Sequence, residues 1–211
     1  MPPESPLRFG LIETLRWTRG EGYWLLPHHA ARLDASARAL GFEDTPWQEA
    51  LNAAVQGQTG TRRVRLVRWP DGRVGAEAYP ITLPPPGTVW RAAVADERFR
   101  SDDPLLRHKT THRDRYEGPL AAATARGFDE VVFLNERGEV CEGARTSLFL
   151  EDPDGTLLTP PLACGLLPGT LRASLLAEGR AREAVLRLDD LEKGQWSMGN
   201  AVRGLVRARL E

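Results

Sequence analysis

One stretch of the sequence has side chains that could carry covalent chemistry, namely LLRHKTTHRDRY from Leu105 to Tyr116. Of the 28 lysine and arginine residues in the 211-residue chain, only Lys109 in this stretch and Lys193 are lysines. Arginine stays protonated at any ordinary pH, whereas a lysine amine can be neutralised by its surroundings and then act as a nucleophile or base. Lys109 is therefore a candidate for Schiff-base chemistry, although two lysines could also survive a bias toward arginine by chance.

An aldehyde cofactor held on Lys109 would need further groups. Pyridoxal phosphate requires the lysine, an acid opposite its pyridine nitrogen and an anion site for its phosphate. Glu142, in CEGARTSLFL between two predicted strands, could keep the pyridine nitrogen protonated, because a nearby negative charge favours the charged form of a base. Judged by its position alone, Glu142 could equally be an ordinary turn residue.

The phosphate has several candidate sites in the sequence. Gly169 and Thr170, in LLPGTLR, stand where a helix is predicted to begin, and a helix N-terminus favours an anion. A plain helix start capped by Thr170 is the alternative. Arg32 could add a bidentate contact, and the MGNAVRG turn offers Asn200 and Arg203 as further donors.

Other classes of site and protein find less support in the sequence. His108 and His112 are four residues apart, but no nearby acid or cysteine completes a metal site, so we predict no metal. The net charge of −1 argues against a nucleic-acid-binding module, and no apolar run approaches the roughly 20 residues that span a bilayer. The N-terminal MPPESPLRFG lacks signal-peptide features, and two cysteines make no disulfide framework, so we expect a cytoplasmic protein.

Two domains are predicted on either side of the stiff run Leu83-Pro84-Pro85-Pro86-Gly87. We place a small N-terminal domain at 1–83, a linker at 84–88 and a larger domain at 89–211. In the first, we predict strands at Phe9 to Trp17 and Tyr23 to Leu26, a helix from about His29 to Leu40, a second helix in WQEALNAAVQ, and a hairpin around Pro70-Asp71-Gly72.

The second domain is predicted to be rich in strands. Helices are expected from Tyr116 to Arg126 and in TLRASLLAEG, and DERFRSDD is expected to be a loop. The remaining periodic segments alternate as strands do: TVWRAAVA, DEVVFLN, RTSLFLED, TLLTP, AREAVLRL, WSMGN and GLVRARL.

Six of these stretches occur in the order found in one enzyme family, and the match covers nearly the whole chain. The stretches are FGLIETLRW, HHAARLDASARALGF, RHKTTHRDRY, DEVVFLNERGEVCEGARTSLFL, TPPLACGLLPGTLR and MGNAVRGL. Together they resemble the class IV pyridoxal-phosphate enzymes, which include branched-chain and D-amino-acid aminotransferases and 4-amino-4-deoxychorismate lyases. HKTTHR and NERGEVCEGARTSLFL look most like the lyase branch. The resemblance implies an α+β, two-domain, fold-type IV enzyme with a trimmed N-terminal α/β domain and a β-rich C-terminal domain.

The resemblance also implies roles for individual residues. Lys109 becomes the catalytic Schiff-base lysine, and Glu142 the partner of the pyridine nitrogen. The phosphate ligands are Arg32, Thr170, Leu171, Asn200 and Ala201. Candidates for substrate carboxylates are Arg16, Arg113 and Arg203. Ser147 and Ala201 depart from the residues most common in relatives, which puts phosphate or substrate contacts in question but leaves Lys109 and Glu142 untouched.

The implied reaction is the conversion of 4-amino-4-deoxychorismate into 4-aminobenzoate and pyruvate, a step of folate biosynthesis. One alternative keeps pyridoxal phosphate but transaminates a branched-chain or D-amino acid. A second is a catalytically silent homologue that only binds the cofactor or dimerises. The resemblance further implies a small-molecule amino substrate, a homodimer, and an aminodeoxychorismate synthase as a candidate partner.

Overall fold

In the computed structural model of this protein, the described residues are 9–211, and they form two units. The first unit holds the described residues up to Thr82 together with His108–His112, and the second holds Leu83–Arg107 and Arg113–Glu211. The sequence predicts one domain over 89–211, whereas the segment around Lys109 belongs with the first unit. The N-terminal MPPESPLR, in which we predict no targeting signal, lies outside the described residues.

The described part of the first unit is an antiparallel sheet with two helices. Its elements are β1 (Leu11–Thr18), β2 (Gly22–Tyr23), α1 (Leu26–Ala39), α2 (Gln48–Val55), β3 (Arg62–Arg68) and β4 (Val74–Pro80). Among these residues the strands lie in the order β2-β1-β3-β4. The predicted hairpin is confirmed, since β3 and β4 pair around a turn in which Gly72 has a φ of +78°, a value that glycine adopts without strain.

The two faces of this sheet differ because successive side chains of a strand point to opposite sides. One face is apolar and packs against α1 and α2 through Leu11, Leu15, Leu33, Leu51, Val64 and Leu66. The opposite face carries Thr14 and Arg16 of β1 across from Arg65 and Arg63 of β3. The apolar face stabilises the unit through its packing on the helices, and the polar face does not take part in that packing.

The start of α1 differs from the prediction. Only Gly22–Tyr23 is strand, and Trp24 to Leu26 does not continue it, so the predicted strand to Leu26 is wrong there. Leu25 adopts a positive φ of 57°, and the helix begins at Leu26 with a proline in its first turn. Proline suits that position because its fixed φ is helical and its missing N–H would have no partner there.

The second unit is built on a mixed sheet. Its strands are β5 (Val89–Phe99), β6 (Glu130–Asn135), β7 (Val140–Gly143), β8 (Ser147–Glu151), β9 (Leu157–Thr159), β10 (Ala181–Glu183), β11 (Trp196–Asn200) and β12 (Gly204–Leu210). In the described residues their order is β10-β9-β8-β11-β12-β5-β6-β7. Its helices are α3 (Asp114–Ala125), α4 (Thr170–Ala177) and α5 (Leu188–Lys193). The predicted mixture of helices and sheets, with a β-rich second part, is confirmed.

Three elements of this unit depart from the sequence prediction. β5 continues through a bulge between Val94 and Arg98 into the region predicted as a loop. Glu142 lies within β7 rather than between strands, because β7 pairs with β6. The six-residue α5 was not predicted, since it is too short to show a helical periodicity.

Candidate functional site

Lys109 is held by the backbone of the first unit. Its carbonyl accepts a 2.8 Å hydrogen bond from the Ile12 N–H, and the Thr111 N–H donates to the Gly10 carbonyl at 2.8 Å. The Thr111 hydroxyl also accepts from the Gly10 N–H at 3.0 Å. The segment therefore adds a short antiparallel partner to β1, which fixes the backbone of Lys109 on both sides.

A buried ionic cluster lies on the helix-facing side of β1. Glu13 accepts two hydrogen bonds from Arg32 of α1, at 2.8 Å from Nε and 2.6 Å from a terminal nitrogen. The Glu13 carboxylate also accepts from Nδ1 of His29 at 2.6 Å. Glu13 and His29 are each only 2% exposed. The predicted phosphate ligand Arg32 is thus oriented by a bidentate partner that the sequence did not reveal.

The protonation states in this cluster follow from burial and charge. Burial alone would raise the pKa of Glu13, but the Arg32 charge and hydrogen bonds from His29 and Arg32 lower it to about 2. Burial lowers the pKa of His29 against the opposing effect of Glu13, and the charges of Arg32 and Lys109 lower it further. His29 is therefore neutral and donates from Nδ1 to an ionised Glu13, and the charge of Lys109 acts on this cluster.

The face of the first sheet that points away from α1 and α2 concentrates arginines. Arg16 of β1 lies directly across from Arg63 of β3, and Arg65 lies across from Thr14 on the same face. The Arg16 guanidinium stacks 4.0 Å from the centre of the Trp24 ring, and that of Arg63 lies 4.9 Å from the ring of Tyr79. Opposed like charges destabilise a sheet, so this face has a composition suited to binding anions. Arg63 and Arg65 were missed from the sequence, although RRVRLVR alternates arginines with apolar residues.

Glu142 is a buried carboxylate of the second unit. It is 5% exposed, and its Oε1 accepts a 3.0 Å hydrogen bond from the hydroxyl of Tyr116 on α3. Burial and the negative charge of Glu142 raise the pKa of Tyr116 far above its usual value, so the phenol stays protonated and donates. A carboxylate held in this way can face a protonated ring nitrogen. Tyr116 is a second residue that the sequence did not single out.

Arg113 is engaged with its own unit. A terminal guanidinium nitrogen donates to the Ala144 carbonyl at 2.6 Å, and Nε lies 3.4 Å from Glu117 one turn further along α3. The same guanidinium lies 5.0 Å from the centre of the Tyr116 ring. These contacts join the start of α3 to the turn after Glu142. A substrate-binding role for Arg113 stays a prediction.

The predicted phosphate turns of the second unit come together. Gly169 precedes α4 without a side-chain cap, and a Cβ there would collide with the Ser147 hydroxyl at the start of β8. A Cβ at Gly199, at the end of β11, would come within 2.9 Å of the Leu171 side chain. Glycine at both positions lets the Thr170–Leu171 helix start approach the Asn200–Ala201 turn, an arrangement that concentrates backbone N–H groups.

The Asn200 side chain builds its own turn. Its Oδ1 accepts from the Val202 and Arg203 N–H groups at 2.9 Å each, and its amide donates to the Arg145 carbonyl at 3.1 Å. Asn200 and Arg203 also line a surface cleft of about 200 Å³ within the second unit. Its other lining residues are Pro84, Trp90, Leu120, Asp129, Glu130, Arg145 and Thr146. Asn200 therefore stabilises the turn through its side chain, and Arg203 lines the cleft beside it.

Glu130 organises the turn that follows Glu142. This carboxylate is 3% exposed and accepts from the Ala144 N–H at 3.0 Å, the Arg145 N–H at 3.2 Å and the Thr146 hydroxyl at 3.2 Å. Burial raises its pKa, although these hydrogen bonds oppose the shift. Glu130 was also missed from the sequence, where it is one acid in a buried strand.

The other lysine has the setting of a surface residue. Lys193, at the end of α5, has a side chain that is 77% exposed and lies 3.5 Å from Asp189 one turn earlier. Across residues 9–211, we find no group of three or more His, Cys, Asp or Glu residues that could hold a metal ion. In the same part of the chain, no helix has the length and apolarity to cross a membrane.

Known proteins of similar sequence and structure carry both lyase and aminotransferase names. A provisionally named aminodeoxychorismate lyase of Schizosaccharomyces pombe is 29% identical over 182 residues, covering 82% of this chain and 77% of that protein. A crystal structure from Mesorhizobium loti, provisionally named an amino-acid aminotransferase, is 43% identical with a TM-score of 0.93 and covers 96% of this chain and 100% of that one. A hypothetical aminotransferase of Mycobacterium tuberculosis, in its PLP-bound form, is 22% identical with a TM-score of 0.84, covering 100% and 88%.

These likenesses confirm the predicted fold, a two-domain α+β enzyme of this type. The family model described as amino-transferase class IV matches residues 10–210, which include every residue for which we predict a role. The chain therefore belongs to the class IV aminotransferase family.

Proposed function

We propose that this protein is a pyridoxal-phosphate-dependent enzyme in which Lys109 attaches the cofactor. The placement of the two lysines carries the proposal. Lys109 is half-buried and fixed by backbone hydrogen bonds beside the Glu13–His29–Arg32 cluster, whereas Lys193 is exposed on a surface helix. A lysine whose backbone is fixed presents its amine from a defined position, which suits a nucleophile that must attack an aldehyde.

The remaining residues fit the other parts of the cofactor. Glu142 is a buried carboxylate with a fixed donor, which suits a partner of the ring nitrogen. Arg32, oriented by Glu13, and the backbone of Thr170, Leu171, Asn200 and Ala201 suit the phosphate. When bound, pyridoxal phosphate supplies an electron sink for the carbon that bears the substrate amine.

The lead reaction is the lyase conversion of 4-amino-4-deoxychorismate into 4-aminobenzoate and pyruvate. The Lys109 amine takes the proton from the amine-bearing carbon as a general base. The arginine face of β1 and β3 is compatible with this substrate, because the substrate carries two carboxylates, which Arg16, Arg63 and Arg65 suit as bidentate ligands. The lyase name of the Schizosaccharomyces pombe relative also favours this branch.

Transamination of an amino acid is the second candidate. The Mesorhizobium loti structure favours it, since that protein is 43% identical and carries an aminotransferase name. The proton removal assigned to Lys109 is common to both reactions. The arginine face suits a dicarboxylic amino acid as well as the lyase substrate, so only the products distinguish the two.

Two measurements test these proposals in sequence. The visible spectrum of protein supplied with pyridoxal phosphate, before and after borohydride, should show a cofactor attached to the wild type and to Lys193→Ala but not to Lys109→Ala. Attachment at Lys193, or none in the wild type, would refute the cofactor proposal. Product analysis with 4-amino-4-deoxychorismate then follows: formation of 4-aminobenzoate supports the lyase, and conversion of amino acids to keto acids without 4-aminobenzoate supports transamination.

A further inference from the structure

Tyr116 occupies a position that is fixed independently of Glu142. Its ring makes an edge contact with Phe99 of β5 at 5.3 Å between centroids and another with Phe133 of β6 at 5.5 Å. Phe99 and Phe133 stack on each other at 4.6 Å, and the Arg113 guanidinium covers the ring from 5.0 Å. The packing of α3 on the sheet therefore sets where the phenol oxygen lies.

The hydroxyl of this fixed ring reaches one oxygen of Glu142 at 3.0 Å. A buried carboxylate is costly unless hydrogen bonds satisfy it, and a donor to its charged form favours ionisation. The phenol is a neutral donor, so it orients the carboxylate without cancelling its negative charge. Burial and the charge of Glu142 both raise the pKa of Tyr116, so the phenol keeps its proton and donates at neutral pH.

We propose that Tyr116 is a positioning residue that orients Glu142 toward the ring nitrogen of pyridoxal phosphate and keeps that carboxylate ionised. The inference rests on the proposed function, because it concerns how the cofactor is held. It assigns no direct contact between Tyr116 and substrate. The role is carried by one hydroxyl on a ring that packing has already placed.

The test is a double-mutant cycle read out by cofactor affinity and its pH dependence. Apoprotein of the wild type, Tyr116→Phe, Glu142→Gln and the double variant is titrated with pyridoxal phosphate and followed by absorbance. Phenylalanine keeps the ring contacts and removes only the hydroxyl. Phe99→Leu serves as the packing control, because Phe99 belongs to the same aromatic cluster and has no polar group.

Tyr116→Phe should weaken cofactor binding on the order of tenfold, the effect of losing a hydrogen bond to a charged group. The loss should grow as the pH falls from about 8 to about 6, because a buried carboxylate that loses a donor is protonated more readily. In the Glu142→Gln background the same substitution should change the affinity by less than about twofold, since Tyr116 acts through Glu142. Phe99→Leu should lower the melting temperature without this pH dependence.

Three results would overturn the inference. One is a Tyr116→Phe variant that binds pyridoxal phosphate with the same affinity and the same pH dependence as the wild type. Another is an equal loss in the Glu142→Gln background, and the third is the same pH-dependent loss in Phe99→Leu, which would show a packing effect. In each case a wild type that binds the cofactor leaves the proposed function intact, whereas a wild type that does not bind it removes both.

Discussion

Glu13→Gln should destabilise the first unit even in the absence of cofactor. Glu13 accepts two hydrogen bonds from Arg32 and one from His29 while being 2% exposed. Glutamine has nearly the same size, but its amide has one oxygen in place of two and carries no charge. The substitution removes the negative charge that faces the Arg32 guanidinium, whose side chain is only 9% exposed.

Two independent arguments give the size of the loss. Removing one partner of a buried ion pair costs about 3–5 kcal/mol, since the remaining charge stays buried. The pKa of Glu13 falls from 4.5 to about 2, and each unit corresponds to about 1.4 kcal/mol, which gives about 3 kcal/mol of stabilisation from the ionised carboxylate. The two values agree, so we expect a loss of about 3 kcal/mol at neutral pH.

The sign of the pH dependence follows from the same shift. The pKa of Glu13 is lower in the folded than in the unfolded state, so its contribution is complete above pH 4.5 and is lost as the pH falls toward about 2. The lowered pKa of His29 adds a second loss of stability, which begins as the pH falls below 6.5. Just below that pH the unfolded state takes up the proton and the folded state does not. The difference in the free energy of unfolding between wild type and Glu13→Gln should therefore become smaller below pH 4.5.

Urea unfolding of apoprotein, followed by tryptophan fluorescence from neutral to acidic pH, measures both effects. The matched control is Asp71→Asn. Asp71 is an exposed acid of the same unit, and it pairs with Arg73, whose side chain is 74% exposed. Exposed pairs contribute about 0–1 kcal/mol, so this variant should unfold almost as the wild type does. Equal stability of Glu13→Gln and Asp71→Asn at neutral pH would refute the assignment of a buried, ionised Glu13.

Three further variants probe the second unit. Gly169→Ala should weaken binding of pyridoxal phosphate, measured by titration, because its Cβ collides with the Ser147 hydroxyl; Ser147→Ala in the same chain should restore part of the affinity. Asn200→Ala should lower the free energy of unfolding in urea by about 1–3 kcal/mol, since two turn N–H groups lose their acceptor. Glu130→Gln should lower the free energy of unfolding by a similar amount in the same measurement, because the amide nitrogen of the glutamine would face N–H donors of the 144–146 turn. Unchanged stability of Asn200→Ala or of Glu130→Gln would contradict the role assigned to that residue.

The cofactor could be predicted from the sequence because the groups that it requires depend on residue type, while the roles of the individual residues stay predictions. Lys109 is one of two lysines, and glycines before Thr170 and Asn200 mark turns that are legible in the sequence. The hairpin around Pro70 to Gly72 was predictable for the same reason, since local turn residues determine it. Such features need no knowledge of distant contacts.

The supporting residues could not be predicted, because their roles arise from contacts between distant elements. Glu13 and Arg32 are 19 residues apart, and Tyr116 and Glu142 are 26 apart. One signal was nevertheless present: Glu13 alternates with Leu11 and Leu15, so it occupies a buried position of β1 where an acid requires a partner. The start of α1 was predicted wrongly for a different reason. The residue before the helix has a positive φ, but it is Leu25 rather than a glycine, so the sequence does not mark the turn.

The face of the first sheet that points away from α1 and α2 has a composition that suits the dicarboxylate-binding role we propose for it. Arg16 and Arg63 oppose each other directly, an arrangement that costs stability in a sheet. Their stacking on Trp24 and Tyr79 offsets part of this cost and holds both guanidinium planes in place. In the proposed function, a bound dicarboxylate would offset part of the repulsion between Arg16 and Arg63. Arginine suits this task better than lysine because its planar fork both stacks on an aromatic ring and pairs with a carboxylate.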